Sequence, residues 1–224
     1  MAPLNVLSFG ASRNIGYFSA VCLLEKGATV TFLLRSPSAF DGDATIQQYI
    51  RSGHARLVKG DASNEADTQR AWTEAGVVDA VIFSVGTIPT FSVTKGFIQT
   101  PANLVTQCFL NVLCIIPEYT DAPQPKIIVI SSTGLTPFAH KSLPVLLKPL
   151  YGVAWDSKAD GAVAEDILGG GWTRRKGLPA AGSLRRMLVV RPALLTDGKC
   201  VADEVEAKGK DKLPYRVSGQ ELGG

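Results

Sequence analysis

Val6-Leu7-Ser8-Phe9-Gly10-Ala11-Ser12-Arg13-Asn14-Ile15-Gly16 is the stretch that decides the fold. An apolar, strand-like run ends in a glycine turn, and an amphipathic run begins at once. This is the layout of a dinucleotide-binding β-turn-α unit. Gly10 suits the tight turn after the strand, and Gly16 lets the new helix lie close to a sheet. The helix N-terminus then offers free N–H groups and a positive dipole end to a pyrophosphate. Asn14 stands where such turns carry their middle glycine; Asn tolerates positive φ better than other side chains. The glycine spacing alone also fits an ordinary strand-to-helix turn, and the strand–helix–strand context is what favours the dinucleotide reading.

The rest of the chain alternates strand and helix signals. Strands are predicted at Asn5–Phe9, Thr29–Leu34, Ala55–Lys59, Ala80–Phe83, Lys126–Ile130 and Arg186–Arg191, with a short seventh at Tyr215–Ser218. Helices are predicted at Ile15–Lys26, Asp43–Ser52, Asn64–Ala75, Asn103–Ile116 and Ser157–Leu168. On the first helix, Phe18, Val21 and Cys22 form the expected inner face. Continuous apolar strands between helices mean a mostly parallel sheet covered on both sides. The expectation is an α/β, Rossmann-type doubly wound fold in a single domain over 1–224. Ligands of such sheets bind beyond the carboxyl ends of the strands. That rule gathers Gly10, Arg35, Asp61, Ser84, Ser131 and Arg191 on one rim.

Composition bounds the function. The chain has 224 residues, 46% of them hydrophobic, enough for a sizeable core. A net charge of +3 from scattered basic residues gives no case for nucleic acid. Four cysteines without a C-x-x-C pair and only two histidines argue against zinc. Cys22, Cys108 and Cys114 sit in apolar stretches and read as core residues of a reducing compartment. No basic leader opens the chain, and the longest apolar run, Cys108 to Pro117, is far short of a membrane span. A cytoplasmic protein is expected.

Each rim position has its own chemistry. Arg35 ends the second strand and Ser36 follows, where an NAD-selective site would carry an acid. A guanidinium and a hydroxyl suit a 2′-phosphate instead. Arg13, in the glycine turn, can reach the same phosphate, so NADPH is expected in preference to NADH; both arginines also read as ordinary solvated side chains. Asp61, with the Ala62 backbone beside it, either accepts an adenine amino group or caps the next helix. The small residues Ser84, Val85 and Gly86 let backbone approach the ribose and nicotinamide side. Ser131 and Ser132 place hydroxyls where a nicotinamide would lie. The segment 169–183 (Gly-Gly-Gly, then Trp172-Thr173-Arg174-Arg175-Lys176) reads as a solvated basic loop or as a flap over a phosphate-bearing ligand.

Taken together, Gly10–Gly16, Asp61-Ala62 and Ser84-Val85-Gly86 resemble the short-chain dehydrogenase/reductase superfamily. Ala162–Leu168 and Leu188-Val189-Val190-Arg191-Pro192 resemble its atypical, NmrA-like NAD(P)H-binding branch. The resemblance implies an oxidoreductase that transfers hydride to or from a small apolar carbonyl or quinone-like acceptor. It assigns Gly10, Ser12, Arg13, Asn14, Ile15, Gly16, Arg35, Ser36, Asp61, Ala62, Ser84, Val85, Gly86 and Ser131 to the cofactor. Ser132, Tyr151 and Lys158 fall to catalysis. The chain departs from the superfamily pattern here, because Trp155 rather than Lys stands four residues after Tyr151. Lys158 lies seven residues on, so the two meet only across an irregular helix start. That departure supports an alternative, a non-catalytic NADP(H) sensor that binds a protein partner. Related proteins continue past Gln220–Gly224 with a packing helix, so the C-terminal substrate part is expected to be short or truncated.

Overall fold

The structure, a computed structural model, describes residues 3–86, 90–92, 96–98, 103–116, 124–131 and 187–192. All of these belong to one compact unit, Met1–Pro192. The remaining Ala193–Gly224 is a second unit, and it lies outside the described residues. The expected helix Ser157–Leu168, the strand Tyr215–Ser218 and the loop 169–183 lie outside them as well.

Six parallel strands form one sheet in the order β3-β2-β1-β4-β7-β8. These are β1 (Asn5–Phe9), β2 (Thr29–Leu34), β3 (Ala55–Lys59), β4 (Ala80–Phe83), β7 (Lys126–Ile130) and β8 (Met187–Val190). The chain steps outward from β1 to β3, returns to the other side of β1 as β4, and continues outward. This is the doubly wound arrangement, with its switch point between β1 and β4. The register places Phe9 opposite both Leu33 and Phe83, so the two central strands end level with each other.

Alternation along the strands splits the core into two layers. Leu7 and Phe9 of β1 join Leu33, Val81, Phe83, Ile127 and Val129 on one face. There they meet α3 (Glu65–Ala75) and α4 (Leu104–Ile115), with the Phe83 and Phe109 rings edge-on at 5.0 Å. Val6, Val30, Phe32 and Ile82 point to the other face, toward α1 (Asn14–Glu25) and α2 (Ala44–Arg51). A 3-10 turn, Pro37–Phe40, lies between β2 and α2 and buries Phe40 against Phe32. None of the described helices is long and apolar enough to cross a membrane.

The inner face of α1 differs from the expected one. Gly16, Ala20 and Leu24 are buried, whereas Phe18 is 66% exposed and Cys22 is exposed. The helix is apolar nearly all round, so pattern alone does not choose its face. The close approach at Gly16 does, and it selects the small residue one turn further on. Cys108 is buried as expected, but Cys114 is exposed, on the outer side of α4. Between β4 and α4, where no strand is expected from sequence, lies an antiparallel pair of strands, β5 (Thr90–Ser92) and β6 (Gly96–Ile98). Three-residue strands are too short for period-2 alternation to reveal them.

Two fully buried hydroxyls, of Ser8 and Thr31, have no hydrogen-bond partner among the described residues. Burying an unpaired hydroxyl costs stability, and Val fills nearly the same space without it. Thr31→Val is therefore expected to be neutral or stabilising by up to about 1 kcal/mol in urea denaturation; a clear loss would show that the hydroxyl is satisfied in solution.

Candidate functional site

The turn after β1 is shaped by the turn after β4. Both the amide and the hydroxyl of Ser84 donate to the Phe9 carbonyl, each at 2.9 Å. The two strand ends are thereby locked together, and little room is left above them. Gly10 has φ +80, and a Cβ there would stand 2.6 Å from the Ser84 carbonyl and from the Val85 nitrogen. A Cβ on Gly16 would strike the Ser84 Oγ and lie 2.8 Å from the Gly10 oxygen. Asn14, the first residue of α1, sits in the left-handed region at φ 54, the conformation that the sequence reading asked of it. Arg13 is the N-cap residue of α1, and its side chain caps nothing. The helix thus begins with its first amides unserved by any cap.

The loop after β3 is braced by side chains. The Asp61 carboxylate does not cap α3: its Oδ1 accepts from the Ser63 amide at 2.9 Å and the Ser63 hydroxyl at 2.8 Å. Asn64 is the cap, accepting from the Ala66 and Asp67 amides. Asp67 accepts the Asp61 amide and pairs with Arg70. The Asp61 amide and then the Arg70 guanidinium hold the Asp67 carboxyl below its ordinary pKa. On the far side of α1, burial and then the Asp43 carboxylate push the Tyr17 hydroxyl up to about 12; this pair ties α1 to the start of α2.

These turns enclose a cleft of about 460 Å³ at the carboxyl rim, over the switch point. The glycine turn lines it with Gly10, Ser12, Arg13, Asn14, Ile15 and Gly16. Arg35 and Ser36 follow from β2, Asp61 and Ala62 from β3, Ser84, Val85 and Gly86 from β4, and Ser131 from β7. Every position assigned to the cofactor on sequence therefore lines one cavity. Arg191 follows β8 but does not line it. Arg13 and Arg35 are exposed, and neither makes an ion pair or side-chain hydrogen bond among the described residues. Ser132, Tyr151 and Lys158 lie outside the described residues.

Sequence reasoning missed several wall residues. Leu33, Gly60, Leu104 and Cys108 line the same cleft. Asn111 is also new: it is buried in α4, and its Nδ2 donates to the Ala62 carbonyl at 2.9 Å. A polar residue inside the apolar run from Cys108 to Ile115 was the available signal.

No protein-family model and no curated protein matches the chain. Solved structures do. An NADH-dependent reductase complexed with NAD is 17% identical with a TM-score of 0.60, over 86% of this chain and 79% of that one. A metagenomic short-chain oxidoreductase in complex with NADP is 19% identical with a TM-score of 0.57, over 87% and 85%. A short-chain dehydrogenase from Streptomyces avermitilis is 16% identical with a TM-score of 0.54, over 87% and 67%. The fold is thus that of short-chain dehydrogenases/reductases.

Two tests address the geometry of the rim. Gly10→Ala adds left-handed strain to a backbone collision, and it is expected to destabilise by at least about 2 kcal/mol in urea unfolding. Asp67, with its folded pKa below the unfolded one, contributes stability that is present above the ordinary carboxylate range and is lost as pH falls through the lowered value. Asp67→Asn should therefore flatten the acid limb of a pH-stability profile; an unchanged limb would mean that Asp67 is unpaired in solution.

Proposed function

We propose that this chain binds a nicotinamide dinucleotide, NADP(H) in preference to NAD(H), and works as an atypical short-chain oxidoreductase on a small apolar carbonyl or quinone-like acceptor. The observation that carries the reading is the cleft itself. Its glycine turn packs onto the end of β4 with no room for a Cβ at two positions, and the backbone of that turn, from Gly10 to Gly16, lines the cleft itself. The unserved N-terminal amides of α1 supply donors and a partial positive charge to the same group. Arg13 and Arg35, unpaired among the described residues, stand on the lining, where a 2′-phosphate would gain a charge-assisted pair. The Ala62 amide makes no hydrogen bond among the described residues, and neither does the second Asp61 oxygen. One donor beside one acceptor matches the edge of an adenine base.

When bound, the cofactor supplies the hydride chemistry, and the protein orients it and sets its electrostatics. In this reading Gly10, Ser12, Asn14, Ile15 and Gly16 hold the diphosphate. Arg13, Arg35 and Ser36 hold the 2′-phosphate, and Asp61 and Ala62 hold the adenine. Val85, Gly86 and Ser131 line the ribose and nicotinamide side, whereas the Ser84 hydroxyl is already committed to the Phe9 carbonyl. Ser132 and Tyr151 would polarise the acceptor and Lys158 would hold the ribose. The cofactor class suits a cytoplasmic protein with residues 1–224 acting as one dinucleotide-binding domain. Trp155 in place of a lysine four residues after Tyr151 favours one other reading, an NADP(H) sensor that binds a protein partner without turnover.

The test is a paired calorimetric titration with NADPH and NADH. NADPH should bind at least about tenfold more tightly, equivalent to about 1.4 kcal/mol from the 2′-phosphate. Arg35→Ala should remove most of that advantage and leave NADH unchanged. Equal affinities would defeat the NADP preference, and no binding of either would defeat the dinucleotide reading. NADPH consumption with quinones, flavins and aldehydes then separates enzyme from sensor.

A further inference from the structure

Asp67 sits on the first turn of α3, outside the glycine turn and outside the set of residues assigned to the cofactor. Its Oδ2 accepts the Asp61 amide at 2.9 Å, and its Oδ1 pairs with Arg70 at 2.8 Å. The Arg70 guanidinium in turn donates to the Lys59 carbonyl at 2.5 Å. One carboxylate therefore links the last residue of β3, the loop that follows and the helix beyond. Gly60 makes way for it: a Cβ there would lie 2.8 Å from the Asp67 Cβ and 2.9 Å from its Cγ. On the other side of Asp61, the Ala62 carbonyl is held by Asn111 Nδ2 at 2.9 Å and by Thr68 Oγ1 at 3.3 Å. Gln107 fixes the Asn111 side chain in that orientation at 3.0 Å.

The backbone around Asp61 is thus clamped from both directions, and Asp61 and Ala62, which keep an oxygen and an amide unpaired among the described residues, line the cleft. A simple helix-start acid would interact with the first amides of its own helix. Asp67 instead reaches back six residues and leaves the capping of α3 to Asn64. We propose that Asp67 is a positioning residue for the adenine end of the cleft: it holds the Asp61 backbone so that the Asp61 carboxylate and the Ala62 amide meet the base in a fixed geometry. This rests on the dinucleotide reading above. Arg70 supports it by holding the carboxylate from outside, beside a shallow depression shared with Arg35 and Lys59.

The experiment compares wild type, Asp67→Ala and Asp67→Asn against three probes: NADPH, adenosine 2′,5′-bisphosphate, and reduced nicotinamide mononucleotide, which has no adenine. Asp67→Ala removes a charge-assisted hydrogen bond and should weaken NADPH and the bisphosphate by about tenfold or more. The mononucleotide should bind as it does to wild type. Asp67→Asn keeps an oxygen for the Asp61 amide and should lose clearly less. Arg70→Met, at a half-exposed side chain, should reproduce a smaller adenine-specific loss and is the readout if Asp67→Ala gives no cooperative melt. Unchanged affinity for the adenine-bearing probes, or equal losses for both halves of the cofactor, would overturn the role of Asp67. Failure of the wild type to bind NADPH would overturn the dinucleotide reading and this inference with it.

Discussion

Ser84 gives its amide and its hydroxyl to a single acceptor, the Phe9 carbonyl. Much of the molecule follows from that double donation. It fixes the ends of β1 and β4 at the same level, at the point where the chain reverses its direction of travel across the sheet. With those ends locked, the Ser84 side chain and backbone occupy the volume in which Cβ atoms at 10 and 16 would lie. The turn must then be built from glycine, and α1 must descend onto the sheet along its smallest residues, Gly16 and Ala20. The exposure of Phe18 and Cys22 is a consequence of the same crowding.

The strands were legible because a parallel sheet covered on both faces demands uninterrupted apolar runs, and such runs have sharp ends. The strands β1, β2, β3, β4 and β7 have the limits read from sequence; α1, α2 and α4 differ by one residue at each end, and α3 differs at its start alone. The glycine turn was legible for a steric reason that leaves a mark on composition. The face of α1 was not, since an almost wholly apolar helix carries no periodic contrast. The roles of Asn111 and Asp67 were hidden for a different reason. Each acts on a backbone group of the Asp61-Ala62 loop, Asn111 across 49 residues and Asp67 across six. Neither contact is implied by local pattern.

Electrostatics gives the rim its direction. The first turn of α1 holds no acid, and its N-cap residue is an arginine, the reverse of what favours an isolated helix. The first turn of α3, by contrast, carries Glu65 and Asp67 and a proper Asn cap. Of these two helices, both starting at one edge of the sheet, the one opening on the glycine turn has neither a side-chain cap nor a first-turn acid among the described residues. An anion of the cleft would complete α1 in the way that Asn64 completes α3. The stability that α1 forgoes without a cap is then recovered when the site is filled.

A comparison of satisfied and unsatisfied groups sharpens this further. Around the cleft, the polar groups that shape backbone are fully engaged: Ser84 with Phe9, Asn64 with its helix, Asp67 with Asp61 and Arg70, Asn111 with Ala62 and Gln107. Left open among the described residues are the two guanidinium groups of Arg13 and Arg35, the amides at the start of α1, the Ala62 amide and one Asp61 oxygen. Binding costs less when loops and side chains are already ordered, and the engaged set does that ordering. The open set has alternating character along the rim, acceptor and donor at one end and positive charge toward the other. A neutral polar ligand would leave the arginines unanswered, and a bare phosphate would leave the Asp61-Ala62 pair unanswered. An extended ligand with a hydrogen-bonding base at one end and phosphates in its middle answers both.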